Sequence, residues 1–220
     1  MMVAKNSSEK AASPAISAAP GRSWPMRHPR LFTFLLAAVI VWGAGAAVYI
    51  YIYPHLIYNA LERAIVTRGI GAAVGGIPVN TIYAMPDLAS PFMVKSDPLV
   101  GPNHDTLYAF GWLDLSREPQ VLHVPDMAGR YYSVEFVDSW GDVFAYVGRR
   151  TTGTQSGDYL ISGPSWRGAL PPGVTQISSP DNTVFLIGRV LVESNSDLAT
   201  AYALENQIQL TPLSQWQLGQ

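Results

Sequence analysis

The hydrophobic texture of the chain changes three times. From Leu31 to Tyr53 no residue carries a charge, and apart from Thr33 each is apolar, small or aromatic. At about 1.5 Å of rise per residue, about 20 apolar residues cross a hydrocarbon layer about 30 Å thick, so this run predicts a transmembrane helix over 31–53. After Pro54 the apolar positions thin out to Ile57, Leu61, Ala64, Ile65 and Ile70, close to helical spacing. They predict an amphipathic stalk over 54–75 that continues the span, bends at Pro54, lies at the membrane surface and ends at Gly71, Gly75, Gly76 and Pro78. Pro86, Pro91, Pro98 and Pro102 then mark an irregular connection with at most short strands.

From Thr106 the period shortens. Thr106–Leu113, Gln120–Val124, Arg130–Val137, Val143–Val147, Tyr159–Ile161, Val174–Ile177 and Thr183–Val192 are short runs of β-forming residues separated by turn residues. Seven such runs predict a mainly β fold: an antiparallel sandwich or jelly-roll-like domain behind an N-terminal transmembrane helix, with a few short helices. Val184-Phe185-Leu186-Ile187 is apolar on both faces, as a central strand is. Asp126-Met127-Ala128-Gly129 has hairpin-loop chemistry, with Gly129 free to take a positive φ. Ser196 is placed to cap a closing helix that carries Leu198, Ala201, Tyr202 and Ile208 along one side.

Charge divides at the span. The first 30 residues hold five basic side chains (Lys5, Lys10, Arg22, Arg27, Arg30) against Glu9, a net of +4; the remainder holds nine against fifteen, a net of −6. Basic residues beside a span stay on the cytoplasmic side, which predicts a disordered cytoplasmic tail over 1–30 and a periplasmic domain over 76–220, with the protein in the inner membrane. The lipid bilayer is then a partner through residues 31–53. Tyr49, Tyr51, Tyr53 and Tyr58 suit an outer aromatic belt, with Trp24 near the opposite face. Ala44-Gly45-Ala46 offers the alternative of a cleavable signal peptide. The mildly acidic outer part argues against nucleic acid as a partner. With no cysteine, disulfides, thiolate catalysis and cysteine-based zinc sites are excluded.

No motif states a reaction, and no cofactor or metal is implied. Asn103-His104-Asp105-Thr106 is the densest group of capable side chains; it reads either as a base with its orienting carboxylate or as an Asx-type turn before a strand. His104 and His123 are too few for a metal site without further ligands. Arg149-Arg150-Thr151-Thr152-Gly153-Thr154 suits an anion, or a plain polar loop between strands. Glu135 and Asp138, three apart on a strand, point to opposite faces and do not form a catalytic carboxylate pair. Trp112, Tyr131, Tyr132, Trp140, Tyr159 and Trp166 are able to stack sugar rings, but such residues more often form sandwich core or strand-pair packing.

The motif string Pro102-Asn103, Asp105-Thr106-Leu107-Tyr108, Trp112-Leu113-Asp114-Leu115, Val124-Pro125-Asp126, Gly129-Arg130-Tyr131-Tyr132, Asp138, Gly148, Arg150-Thr151-Thr152-Gly153, Gly157-Asp158-Tyr159 and Gly163-Pro164 resembles the bacterial family catalogued as domain of unknown function 1254. The resemblance covers about residues 76–192. It implies an all-β, jelly-roll-like module with no established activity, which in longer members precedes a second β domain, domain of unknown function 1214. The chain resembles a short form without that second domain, which implies a separate chain supplying it, or a homo-oligomer. Gly43 and Ala47 place small side chains on one helix face where another helix can approach. Two functions follow. One is a non-catalytic envelope or interaction module. The other is a glycan- or small-molecule-acting enzyme completed by the partner domain. Asn103, Asp105, Arg130, Asp138 and Arg150 form the candidate binding cluster, while no catalytic residue is assigned.

Overall fold

The computed structural model describes residues 28–69, 75–89 and 103–218. Residues 1–27 of the N-terminal tail, Ile70, Gly71, Pro91, Pro98 and Pro102 lie outside the described residues. Two compact units divide the chain between Tyr49 and Ile50. Residues 28–49 of the first unit are helical from Pro29 on, and the helix, α1, runs over Pro29–Arg68. It is long and apolar enough to cross a membrane. Pro54 lies within it, and Gly69, at φ 82°, ends it by donating its amide to the Ile65 carbonyl at 2.9 Å.

The second unit is mainly β. Its strands are β1 (Ile82–Ala84), β2 (Thr106–Asp114), β3 (Gln120–Val124), β4 (Tyr132–Val137), β5 (Val143–Gly148), β6 (Gly157–Ser162), β7 (Val174–Ser178), β8 (Thr183–Leu191) and β9 (Gln209–Pro212). One sheet has the order β1-β2-β8-β4-β5 and is antiparallel throughout; the other has the order β7-β6-β3-β9. In the second sheet β6 and β7 run parallel, so this sheet is mixed rather than purely antiparallel. A 3₁₀ turn (Asn195–Asp197), helix α2 (Leu198–Glu205) and helix α3 (Leu213–Leu218) follow β8 and β9.

Alternation builds the sandwich. Leu107 and Leu113 of β2, Val134 and Phe136 of β4, and Val184, Leu186 and Val190 of β8 meet Leu122 and Val124 of β3 and Tyr159 and Ile161 of β6 in one core. At about 25 cal/mol per Å2 of apolar surface, each such side chain contributes roughly 1.5–3 kcal/mol on burial. β2 is buried on both faces because its other face presents Tyr108, Phe110 and Trp112 to the second half of α1. Tyr58 and Ile65 are the buried residues of α1. Tyr58 and Ile65 of this half-helix therefore rest on the sheet, while Leu56 and Ile57 are exposed. Packing of the closing segment Leu213 and Trp216, with Trp166, covers Val121, Leu160 and Val174 on the outer face of the second sheet.

Three local expectations change. The Asp126–Gly129 segment has the turn chemistry read from it: Asp126 Oδ1 accepts the Ala128 amide at 2.8 Å, and Ala128 and Gly129 take φ 48° and 80°. It joins β3 to β4, however, and these lie in different sheets, so it crosses the sandwich instead of closing a hairpin. Ser196 does not cap α2; it lies within the 3₁₀ turn, its hydroxyl 2.9 Å from that of Ser194, and Asp197 occupies the cap position. Ile208 falls after α2, which ends at Glu205, and the following residues form the unanticipated edge strand β9.

Candidate binding cleft

Register places a polar patch on the outer face of the five-stranded sheet. Tyr108 of β2 is paired with Arg189 of β8, Arg189 with Ser133 of β4, and Ser133 with Gly148 of β5. One step along the strands lie Phe110, Ile187, Glu135 and Tyr146, and one step further Trp112, Phe185, Val137 and Val143. The last row is apolar and Trp112 is fully buried. The first row is polar, with Arg189 and Ser133 half-buried beside the buried Tyr108. A cleft of about 300 Å3 lies here, lined by Tyr131, Ser133, Glu135, Tyr146, Arg150 and Arg189 among others.

The strands position these groups by alternation. Along β4, Tyr132, Val134 and Phe136 are buried while Ser133, Glu135 and Val137 are half-buried. Gly148 lets β5 draw close: a Cβ there would stand 2.7 Å from the Tyr132 carbonyl oxygen, which no side chain tolerates. The turn beyond it, with the Thr151 and Thr152 amides donating to the Gly148 carbonyl at 3.0 and 2.8 Å, carries Arg150 and Thr151 to the rim.

Charge in the cleft is largely matched. Arg189 donates to Glu135 at 2.9 Å and its guanidinium lies 5.6 Å from the Tyr108 ring centroid. Burial works against its charge, but Glu135 and Tyr108 outweigh this and hold its pKa above the usual arginine value. The Arg150 guanidinium lies over the Tyr131 ring at 5.8 Å and is otherwise exposed. The arrangement presents two guanidiniums, two hydroxyls and two phenol rings around one ion-paired carboxylate. That set suits recognition of a small anionic, hydroxyl-bearing molecule.

Of the five candidate residues, Arg150 alone lines this cleft. Asn103, Asp105 and Arg130 lie at the same end of the sheet with structural bonds. Asn103 Oδ1 accepts the Asp105 amide at 2.6 Å, the Asx-type turn, and the Asn103 amide donates to the Tyr108 hydroxyl at 2.9 Å. The Asp105 carbonyl takes the Val192 amide at 2.9 Å. Arg130 makes a two-pronged ion pair with Asp197 at 2.5 and 2.7 Å and donates to the Leu191 carbonyl at 2.7 Å. This pair raises Arg130 and pushes Asp197 down to about 2. Asp138 is at the opposite end of β4, where its Oδ1 accepts the Trp140 and Asp142 amides, each at 2.9 Å.

Arg189 and Tyr146 were not among the sequence candidates, and Glu135 entered only as half of a rejected carboxylate pair with Asp138. A charged residue inside the otherwise apolar β8 run was the available sign of Arg189; its pairing with Glu135 depends on which strands are neighbours. His123 Nδ1 is 2.7 Å from Asp158 Oδ1 on the adjacent strand. Among the described residues, no three His, Cys, Asp or Glu side chains gather as a metal site needs. Of the aromatic residues, Trp112, Tyr132 and Tyr159 are core, Trp166 packs beside α3, Tyr131 lines the cleft and Trp140 is exposed.

The structure therefore defines a two-sheet β sandwich carried behind an apolar helix, with an open cleft on one sheet. The model of the family described as "Protein of unknown function (DUF1254)" matches residues 79–212, and the chain belongs to that family. It is similar to the crystal structure of the VPA0106 protein from Vibrio parahaemolyticus, with 28% identity and a TM-score of 0.58 over 77% of this chain. The match covers 38% of the Vibrio chain, so the present chain spans well under half of that protein. An uncharacterized protein from Burkholderia cenocepacia aligns at 12% identity and a TM-score of 0.36, over 51% of this chain and 31% of its own. Among curated proteins, none matches the chain.

Proposed function

We propose that the protein is a non-catalytic module of the cell envelope, held in the inner membrane by residues 31–53, whose periplasmic domain binds a small anionic, hydroxyl-bearing molecule. One observation carries the reading. The cleft presents Arg150, which among the described residues pairs with no carboxylate, beside hydroxyls and phenol rings, while its acid, Glu135, is spent on Arg189. With its one carboxylate held in an ion pair and no imidazole in its lining, this set favours binding over turnover. The +4 charge before the apolar run and the −6 after it support the topology.

Glucuronate is a suitable probe. Titrated into the full chain in lipid nanodiscs and followed by calorimetry, it binds, and Arg150→Ala weakens it by about 10-fold or more, the worth of one lost charge-assisted bond. Failure of both glucuronate and inorganic phosphate to bind overturns the reading. The enzyme alternative rests on the greater length of the Vibrio relative. In that case the partner is a separate chain carrying a second β domain, or a second copy, and turnover appears only when it is added. A periplasm-dependent phosphatase fused after Gln220 tests topology: activity supports the orientation, and inactivity refutes it.

A further inference from the structure

The loop between β4 and β5 is built to display one tryptophan. Asp138 Oδ1 accepts the amides of Trp140 and Asp142, the Gly141 amide donates to the Asp138 carbonyl at 3.1 Å, and Gly141 takes φ 85°. Asp181 holds the next residue, accepting both the amide (2.9 Å) and the hydroxyl of Ser139. Yet this firmly held loop leaves Trp140 40% exposed, with Val143 beside it also exposed. An ordered loop that spends two aspartates to present an indole to its surroundings calls for an apolar neighbour.

The position of Trp140 identifies that neighbour. Its ring lies 4.9 Å from the ring of Tyr51 and 3.8 Å from that of His55, edge to face in both cases. Tyr51 belongs to the outer end of the apolar run, about 3 Å along the helix from Tyr53. A side chain that packs on Tyr51 shares its depth to within a ring's width. Tyr51 and Tyr53 are themselves exposed, as residues of an aromatic belt are. From this continuity we propose that the β4–β5 loop is a second membrane contact, with Trp140 and Val143 seated among the lipid headgroups beside the end of the transmembrane helix. Asp142, exposed at the same tip, keeps the loop at headgroup level and out of the hydrocarbon. Asp138, idle as a ligand in the cleft, is on this reading the residue that positions Trp140.

Two attachments fix the domain's orientation, whereas a helix alone leaves it free to turn about its own axis. β5 leads from Val143 to Tyr146 at the cleft, about 10 Å further along the strand. The cleft therefore opens close to the bilayer surface. The proposal rests on residues 31–53 being a retained anchor, and the test separates the two claims.

The chain contains no cysteine, so single labels are clean. Nitroxides at Leu36→Cys, Val143→Cys and Leu170→Cys, in the full chain in lipid bilayers, are compared for collision with oxygen and with a water-soluble nickel chelate. Leu36→Cys reports the anchor, and Leu170→Cys an exposed control between β6 and β7. The proposal expects a hydrocarbon signature at position 36, an aqueous one at 170 and an intermediate one at 143, which Trp140→Ser shifts towards the aqueous value. An aqueous label at 143 with a buried label at 36 overturns the loop contact and leaves the anchor standing. An aqueous label at 36 overturns the anchor, and the loop contact with it. A label at 143 shielded from both reagents means protein covers the loop, which also overturns the proposal.

Discussion

The outer face of the five-stranded sheet has two halves built from the same strands. At one end Trp112, Phe185 and Phe110 stack beneath α1, the Trp112 and Phe185 rings 4.9 Å apart and Tyr58 tilted over Trp112 at 4.7 Å. At the other end, two residue pairs along, Arg189, Ser133 and Glu135 are half-buried beside the buried Tyr108 and line a cleft. Strand, sheet and face are shared; the cover differs. Where a helix lies on the sheet, polar groups would lose water without gaining partners, and the strands carry aromatics. Beyond that helix, charges pair across strands and line a cleft with room for a ligand. Tyr58 joins the two kinds of chemistry: its ring is core, while its hydroxyl, raised in pKa by burial and then by Asp181, donates to the Val137 carbonyl at 3.2 Å.

If the covered half is true core, Trp112→Ala should cost the most, about 3–5 kcal/mol, read as a large fall in melting temperature of the full chain in nanodiscs. A loss below about 1 kcal/mol would mean that α1 can leave the sheet, and the contrast between the halves would collapse. Second comes the charged end. Arg130→Ala removes the two-pronged bond to Asp197 and the bond to the Leu191 carbonyl, and should cost about 2 kcal/mol at neutral pH. Because Asp197 is held at about 2 against an ordinary value near 3.8, its contribution is present above pH ~4 and fades as pH falls from there towards 2. The Arg130→Ala variant should lose that part of the acid dependence, and an unchanged acid profile would separate Asp197 from it.

Glu205 sharpens the comparison from outside this face. Fully buried, with neither carboxylate oxygen given a hydrogen bond among the described residues, it is pushed up to about 8 by burial. The unfolded chain releases this proton near 4.5, so the native state binds it more tightly and stability falls as pH rises from about 4.5 to 8. Glu205→Gln should flatten that fall, leaving little difference at pH 4.5 and a more stable protein than wild type at pH 8. Equal slopes for the two proteins in denaturation across this range would refute it. The smallest effect belongs to Arg150→Ala. Exposed and bonded to no carboxylate, it should change stability by less than about 0.5 kcal/mol while weakening glucuronate. A clear loss of stability would turn the open half into packing.

Much of this was written in local pattern. The uncharged run ending at Tyr53 declares a helix long enough for a bilayer, because hydropathy and length are summed along the chain and need no neighbour. The seven β runs all became strands, since alternation at period two is a property of each strand alone. The Asn103–Asp105 turn was legible too, as an Asx side chain reaches an amide two residues on. What only tertiary structure decided is which strand lies beside which. β3 and β4 are consecutive yet belong to different sheets, β6 and β7 pair in parallel, and β1 and β9 are too short to stand out from loops. The cleft depends on those choices. Arg189 and Glu135 are 54 residues apart and meet because β4 and β8 are neighbours in register. The four candidates at this end of the sheet were sorted by the same cause: Arg130 met Asp197, 67 residues away, and was spent on it, while Arg150 met no acid among the described residues and lines the cleft. Local sequence sets what a side chain is able to bond; the distant strand that arrives beside it sets what it does bond.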